Sequence, residues 1–198
     1  MNPWNQLRAA AVLPDETNPD IVAEDVRQVF LPKTPETFVH DDDGNLTVDG
    51  RFTYVWDAEN RLIAVESRAG APAGSKVKET WTHRPDGRWL ERATFTWDTA
   101  ASGWQPAALT RFLWDGNVLL AELDAAGTLL RGYVRGLDLS GTMQGAGGVG
   151  GLLFLQIYSN SQLLSSSFYT HDGNGNVTAP LDAATGALAA EYAYGPFG

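Results

Sequence analysis

The sequence contains no cysteine among its 198 residues. Disulfide bonds, thiol catalysis and thiolate metal sites are therefore excluded, although this absence says little about the compartment. Basic residues are also scarce, since 14 Lys and Arg stand against 24 Asp and Glu and the net charge is −10. This charge would repel a phosphate backbone and an anionic membrane leaflet, so we expect neither nucleic acid nor a membrane surface as a partner.

Long hydrophobic runs are missing as well. The longest apolar stretch, residues 149–155, includes two glycines and is too short to span a bilayer, so no membrane insertion is expected. Residues 1–10 lack the charged start and apolar stretch of a signal peptide. Secretion or display at a cell surface would therefore require a larger protein that carries these residues.

Turn-forming and aromatic residues are abundant. The sequence has 21 Gly and 10 Pro, together with 7 Trp, 6 Tyr and 8 Phe. Strands favour aromatic residues, whose rings pair across neighbouring strands. In residues 51–57 the chain alternates and places Phe52, Tyr54 and Trp56 on one face. The composition and this alternation predict an all-β, antiparallel protein.

An internal similarity organises the second half of the chain. Residues 175–195 repeat residues 116–136 at an offset of 59, which aligns Asn117, Val118, Gly127, Leu129, Tyr133 and Gly136 with Asn176, Val177, Gly186, Leu188, Tyr192 and Gly195. Leu123 and Asp124 align at an offset of 58, so one residue is lost in the strand and regained at Thr185. The unit reads turn, strand, turn, strand. It predicts stacked β-hairpin repeats that form a curling sheet.

The expected organisation has two parts. Turn aspartates at 43, 57, 86 and 115, spaced by 14, 29 and 29 residues, indicate repeated strands through residues 41–198, interrupted by a glycine-rich loop at 136–151. Residues 159–167 are interpreted as a polar turn that is followed by a short strand at 168–170. Residues 1–40 are expected to be an irregular lead-in with one short element, either a helix over 21–28 or a strand over 26–31, since four prolines at 14, 19, 32 and 35 oppose a long regular element.

Two motifs resemble ligand sites. Residues 145–150 fit GxGxxG, with Asp172 at a suitable distance, but no helix pattern follows to receive a pyrophosphate, so a flexible loop is favoured. Asp172, Asn174 and Asn176 match the first ligands of a calcium loop, yet Val177 and Ala183 stand where Gly and Glu are needed. A hairpin turn is therefore favoured there, with weak calcium binding at residues 41–43 as incidental.

No catalytic, cofactor-binding or metal-binding residues are predicted. The three histidines, at 40, 83 and 171, are isolated in sequence. Four glutamates lie on predicted strands, at 66, 79, 91 and 122, but nothing in the sequence indicates that two of them converge as a glycosidase would need. The sequence therefore predicts a protein that is not an enzyme and uses no cofactor.

Aromatic rows leave one binding function open. Trp and Tyr rings on a sheet can stack on sugars, and the candidate glycan-stacking residues are Tyr54, Trp56, Trp89, Phe95 and Trp97. Packing between strands is the favoured interpretation. A surface-exposed carbohydrate-binding or adhesive module is the alternative function, with glycans as partners.

The combined motifs resemble a known family. YVWDAENRL at 54–62, the closing YAYGPFG at 192–198, VFLPKTPET at 29–37 and the glycine-rich LDLSGTMQGAGGVGG are similar to the YD repeats of bacterial Rhs-repeat-associated core proteins. The resemblance covers nearly the whole chain and is weakest over residues 1–25. It implies an antiparallel β ribbon that spirals into a hollow shell, as in insecticidal toxin complexes and teneurins.

The resemblance also implies a function. Such a shell segment would encapsulate or present a C-terminal toxin, with the remainder of a larger Rhs polypeptide and its toxin cargo as partners and secretion or a cell surface as the location. The sequence departs from the family at Gly195, where relatives often have Asp before Pro-Phe-Gly. The residues of the family's self-cleavage motif have no counterparts here, so self-cleavage and toxicity are not expected of these residues.

Overall fold

The computed structural model describes residues 3–13, 21–32 and 35–195. Its first two strands, β1 (Trp4–Leu13) and β2 (Ile21–Phe30), form an antiparallel pair. A 3-10 helix lies at Ala73–Ser75. The remaining strands are β3 (Val39–His40), β4 (Leu46–Val48), β5 (Phe52–Trp56), β6 (Leu62–Ser67), β7 (Lys78–His83), β8 (Trp89–Asp98), β9 (Gly103–Asp115), β10 (Val118–Leu123), β11 (Leu129–Arg135), β12 (Leu152–Ser159), β13 (Gln162–His171) and β14 (Val177–Asp182).

Strands β3 to β14 form one 12-stranded sheet in which every strand lies beside its neighbours in sequence. The pairs for which a register is defined are antiparallel, for example Tyr54 opposite Val65 and Phe154 opposite Phe168. The sheet is open, with β3 at one end and β14 at the other. The prediction of an all-β, antiparallel sheet is confirmed.

Contacts divide the chain into two compact units, and each is described by itself. The first comprises residues 1–82 and 93–107, and the second comprises residues 83–92 and 108–198. The division crosses β7, β8 and β9, and the predicted boundary of the lead-in at residue 40 stays a prediction. In the second unit burial is concentrated on β10, where Val118, Ala121 and Glu122 are 3%, 8% and 8% exposed.

The N-terminal region differs from its prediction. The described residues before 31 are two ten-residue strands, with Trp4 opposite Phe30 and Leu13 opposite Ile21. A helix over residues 21–28 is therefore wrong. Pro32 follows β2 in sequence and does not interrupt it. Pro14 and Pro19 lie outside the described residues.

Four hairpins of the 12-stranded sheet are closed by an aspartate at the first position of a five-residue turn. Its Oδ1 accepts two backbone N–H groups, as Asp57 does from Glu59 and Arg61, both at 3.0 Å. The fourth residue has positive φ, for example +60° at Asn60 and +84° at Gly127. Turns of this kind begin at Asp41, Asp57, Asp124 and Asp172. The aspartate carboxylate thus accepts backbone N–H groups of the turn that are not bonded within a helix or between strands.

Three of the four predicted turn aspartates do not have this role. Asp86 is the third residue of its turn, which is closed by Arg84 N–H to Arg88 O at 2.7 Å. The carboxylate that closes the first hairpin belongs to Asp41, whereas Asp43 contributes its N–H to it at 3.1 Å. Asp115 pairs directly with Val118 and leaves only Gly116 and Asn117 in a two-residue turn. The regular spacing of the predicted aspartates in sequence therefore did not reflect equivalent positions in the turns.

The two similar segments, residues 116–136 and 175–195, each contain an equivalent pair of leucines that lie opposite each other. Leu123 pairs with Leu129 in the first segment, and Leu181 forms an antiparallel bridge with Leu188 in the second. The turn between them is closed by Asp124 N–H to Thr128 O at 2.9 Å, and by Asp182 N–H to Ala187 O at 2.8 Å. The second turn is one residue longer, and the added residue, Thr185, donates its N–H and hydroxyl to Asp182 Oδ1.

One strand begins earlier than predicted. Residues 159–167 were interpreted as a polar turn, but β13 begins at Gln162 and pairs with β12 through Ser165, Ser166 and Ser167. Serine has a low preference for strands, so local propensity favoured a turn. The backbone ladder with β12 determines the structure instead.

Candidate functional site

The glycine-rich loop, residues 136–151, is built around the carboxylate of Asp138. Its Oδ1 accepts the hydroxyl and N–H of Ser140 at 2.6 and 2.9 Å, and its Oδ2 accepts the N–H groups of Ala146 and Gly148 at 2.6 and 3.1 Å. The Ser140 hydroxyl, together with these backbone N–H groups, lowers the pKa of Asp138 to about 2 despite partial desolvation. The side chain is an internal anion that organises the loop.

This arrangement explains the GxGxxG pattern. The N–H groups of Ala146 and Gly148 point at one oxygen, as backbone groups do in loops that bind phosphate. Here the oxygen belongs to Asp138, which is 6% exposed and fills the position of an anionic ligand. The expectation that no nucleotide motif is present stays a prediction. These hydrogen bonds hold the loop together, and its flexibility stays a prediction.

The loop packs on neighbouring hairpin turns through its glycines and Gln144. The side chain of Gln144 donates to Asp115 O at 3.0 Å and accepts from Asn117 N–H at 2.7 Å. A Cβ at Gly148 would lie 2.5 Å from Cγ1 of Val118, so only glycine allows this approach. The loop is therefore held against the turn at Gly116 and Asn117, which precedes β10.

The predicted glycan-stacking residues are distributed over both units. In the first unit the Lys76 ammonium lies 3.2 Å from the ring centre of Trp97, which also packs edge-on against Trp104 at 5.2 Å. The Lys78 ammonium lies 5.4 Å from the ring centre of Phe95. The faces of these two rings are thus in contact with cations of the protein, which favours packing over a sugar platform.

Tyr54 and Trp56 also have internal partners. The Tyr54 hydroxyl donates to Asp49 Oδ2 at 2.8 Å, and burial together with this bond raises the pKa of Tyr54 to about 12. Trp56 Nε1–H donates to Leu46 O at 2.8 Å. In the second unit Trp89 is 44% exposed and tilts against Phe112 at 5.8 Å. Trp89 is therefore the predicted residue whose ring is most open to a ligand, and stacking on glycans stays a prediction.

Two of the strand glutamates, Glu66 and Glu91, each form an ion pair with a different basic residue. Glu66 accepts Lys78 at 2.8 Å and the indole N–H of Trp104 at 2.7 Å. Glu91 forms an ion pair with Arg111 at 2.9 Å. Each carboxylate therefore has its own cation.

The most buried of these glutamates is Glu122 on β10. It accepts Arg131 Nη1 at 2.5 Å and the Tyr133 hydroxyl at 2.6 Å. Burial, followed by this hydrogen bond, raises the pKa of Tyr133 well above its ordinary value. The sequence did not indicate this cluster, although the apolar surroundings of Glu122 in VLLAEL were a signal for a buried carboxylate.

The carboxylates suggested for calcium are used within their turns. Asp172 accepts the side-chain and backbone N–H groups of Asn176, both at 2.9 Å, and these bonds lower its pKa. Asp41 is bonded in the same way to Asn45. In the part of the chain that the structure describes, no three His, Asp or Glu residues group as metal ligands would. Within the same residues, no helix has the length and apolar character of a membrane span.

One cleft of about 390 Å³ lies in the first unit. Trp4 and Phe30 meet edge to face there at 5.4 Å, and Glu36 accepts Gly50 N–H at 2.9 Å. Arg68 also lines the cleft, and its guanidinium donates to Asp49 O at 3.0 Å. The polar groups at this cleft are thus held by the protein backbone.

Comparison with known proteins gives three related matches. Over 165 residues the chain is 28% identical to the tRNA3(Ser)-specific nuclease WapA of Bacillus spizizenii and 27% identical to the tRNA nuclease WapA of Bacillus subtilis. It is also 28% identical over 165 residues to the tRNA(Glu)-specific nuclease WapA of Bacillus subtilis subsp. natto. No family model matches the sequence.

The matches cover 82% of this chain but only 6% of the length of each of these relatives. The sequence predicted a protein that is not an enzyme. That prediction was wrong about the class of protein, because all three relatives are named as nucleases. No residue pattern in the sequence of this chain indicated that class.

Proposed function

We propose that this chain is a β-sheet segment of a longer nuclease polypeptide, and that its sheet helps to enclose or present the toxic effector part. The observation that carries the proposal is the match of 82% of the chain to 6% of proteins named as tRNA nucleases. A segment of that size is a small part of such an enzyme. Its role within the enzyme is then structural.

The open sheet supports this role. The sheet ends at β3 and β14, and exposed strand edges invite further pairing unless they are covered or continued. The second similar segment begins a further hairpin beyond β14, through the bridge of Leu181 to Leu188. Addition of hairpins of the same kind would extend the sheet, as the YD-repeat resemblance implies, and a sufficiently long ribbon could enclose an effector.

The proposal includes the partners and the location. The partners are the remainder of the polypeptide and its effector, and the location is outside the producing cell or on its surface. The sheet itself is not expected to hold tRNA, because the net charge of −10 opposes binding to phosphates.

A tRNA cleavage assay tests the proposal. The longer polypeptide is purified from its source cell and incubated with total tRNA, beside the chain of 198 residues as a control. We expect cleavage by the longer polypeptide and none by the control. Fluorescence anisotropy with labelled tRNA is measured in parallel, and we expect no binding by the control at 150 mM salt, about physiological ionic strength. Cleavage by the 198-residue chain itself would contradict the structural role.

A further inference from the structure

The cleft of the first unit has the size and the lining of a site for a small molecule. Its volume of about 390 Å³ lies within the range of about 300–1,000 Å³ that is usual for ligand pockets. Its charged lining residues are Glu36 and Arg68. Its apolar lining residues are Pro3, Trp4, Phe30, Pro35, Ala69 and Ala71. A mainly apolar wall with a few polar groups is typical of pockets that hold and orient a ligand.

Glu36 and Arg68 are held at the two ends of one peptide group. Glu36 Oε1 accepts the N–H of Gly50 at 2.9 Å, and Arg68 Nη1 donates to the carbonyl oxygen of Asp49 at 3.0 Å. This N–H and this carbonyl belong to the same planar peptide, in which nitrogen and oxygen are about 2.3 Å apart. The two charged groups are therefore separated by at most about 8 Å between Oε1 and Nη1.

Each charged group has a second atom that can serve a ligand. Within the described residues, Glu36 Oε2 and Arg68 Nη2 make no hydrogen bond. A Cβ at Gly50 would clash with Glu36 Oε1 and lie 2.9 Å from Phe30 Cζ, so glycine allows the carboxylate to lie beside this ring. A negative group, a positive group and an apolar surface thus meet in one cleft.

This arrangement matches a zwitterion that has an apolar body. In a free α-amino acid the ammonium nitrogen and a carboxylate oxygen are about 3 Å apart, and one charge-assisted hydrogen bond of about 2.8 Å at each end gives a total span of about 8 Å. Such a ligand satisfies Glu36 and Arg68 together. A ligand with a single charge leaves one of them without a partner, and this difference gives specificity.

We propose that this cleft binds a free α-amino acid with a large apolar side chain. Glu36 receives its ammonium group, Arg68 receives its carboxylate and Phe30 contacts its side chain. Arg68 is exposed and Glu36 is half-buried, so water and salt screen both ionic contacts. The affinity should therefore fall as the ionic strength rises. The inference concerns the first unit alone and does not rest on the proposed function.

Equilibrium dialysis with radiolabelled L-phenylalanine tests the proposal on the chain of 198 residues. We expect saturable binding at one site, with competition by unlabelled L-leucine. Phenethylamine lacks the carboxylate and phenylacetate lacks the ammonium group, so each should compete at least about tenfold less well than L-phenylalanine. Equal competition by either compound, or no saturable binding up to about 10 mM, would overturn the proposal.

Charge variants identify the two ionic contacts. Glu36→Gln keeps an acceptor for Gly50 N–H and loses the negative charge, whereas Arg68→Gln loses the positive charge. Each should weaken binding of L-phenylalanine at least about fivefold. Glu59→Gln is the matched control, because Glu59 is 67% exposed in a turn of the same unit, where it pairs with Arg61. Binding that is unchanged in Glu36→Gln and Arg68→Gln would contradict the assignment.

A pair of glycine variants tests the position of the ligand. Gly70 lines the cleft and Gly74 does not, and a Cβ at either residue would meet no atom within 4 Å. Gly70→Leu should therefore fill part of the cleft and abolish binding, whereas Gly74→Leu should bind L-phenylalanine as the wild type does. Circular dichroism confirms that both variants are folded. Equal binding by the two variants would overturn the placement of the ligand in this cleft.

Discussion

The buried carboxylate of Glu122 gives the sharpest stability prediction. It is 8% exposed and accepts two short hydrogen bonds, from Arg131 and from the Tyr133 hydroxyl. Glu122→Ala removes both bonds and leaves the hydroxyl of Tyr133 without its acceptor. Removal of one partner from a buried polar group is more costly than replacement of both, because the remaining group stays desolvated.

The magnitude follows from the exposure of the partners. Hydrogen bonds to a charged group contribute about 1.5–3 kcal/mol each. The Arg131 side chain is 43% exposed and regains water, so its bond contributes at the low end of that range. We expect Glu122→Ala to lower the free energy of unfolding by about 3 kcal/mol in total. For a chain of this size that corresponds to a fall in Tm of about 6–12 °C.

The assay is thermal and urea unfolding followed by tryptophan fluorescence, with two further variants. Glu122→Gln keeps an acceptor for Tyr133 and should lose about half as much stability. Glu91→Gln is the matched control, because the Glu91 and Arg111 side chains of its ion pair are 31% and 45% exposed and the pair should contribute less than about 1 kcal/mol. Glu122→Gln should also lower the pKa of Tyr133 towards its ordinary value. Equal Tm values for Glu122→Ala, Glu91→Gln and the wild type would refute the reasoning.

Three further predictions concern the loop and the aromatic residues. The pKa of Asp138 is lowered to about 2 in the folded protein, so the stabilisation that its carboxylate provides is complete above the ordinary value of 3.8 and is lost as the pH falls towards 2. The difference in unfolding free energy between wild type and Asp138→Asn, measured in urea, should therefore shrink over that range. A constant difference would contradict this. Gly148→Ala combines a φ of +83° with a Cβ 2.5 Å from Val118, whereas the control, Gly147→Ala, has a φ of +68° and open space around the new Cβ. Gly148→Ala should therefore be less stable than this control by at least about 1 kcal/mol in urea unfolding. Equal losses of stability would show that the contact with Val118 is unimportant. If glycans bind, Trp89→Ala should weaken binding on a glycan array at least about tenfold while the far-ultraviolet spectrum is unchanged; binding that survives this change would exclude Trp89 as the stacking residue.

The strands were predictable where alternation and local turn chemistry agree. Phe52, Tyr54 and Trp56 alternate, and Asp57 closes the following turn with hydrogen bonds that span only four residues. The extra residue at Thr185 was also visible in sequence, since an insertion at a turn changes little else. These features are local, so the sequence alone was sufficient to place them.

Other features depend on partners that are distant in sequence. The strand β2 is stabilised by pairing with β1, and no pattern within residues 21–30 indicated that partner. The hydrogen bonds that the Asp138 carboxylate accepts from Ala146 N–H and Gly148 N–H span 8 and 10 residues and form only once the loop has folded. The buried position of Glu122 likewise requires Tyr133 on the next strand. Cross-strand contacts of this kind cannot be derived from local periodicity.

The nature of the protein was the hardest part to predict. The residues of this chain provide a sheet, and a sheet is compatible with many functions. The relation to nucleases came only from the comparison with proteins of which this chain covers 6%.

The intact mass of the native product in its source cell tests the central claim most directly. An antibody against residues 116–136 captures the product, and mass spectrometry measures it. We predict a species many times heavier than 21.4 kDa that contains these residues within one polypeptide. A stable, monomeric native product of 21.4 kDa would contradict the claim that this chain is a segment of a longer nuclease.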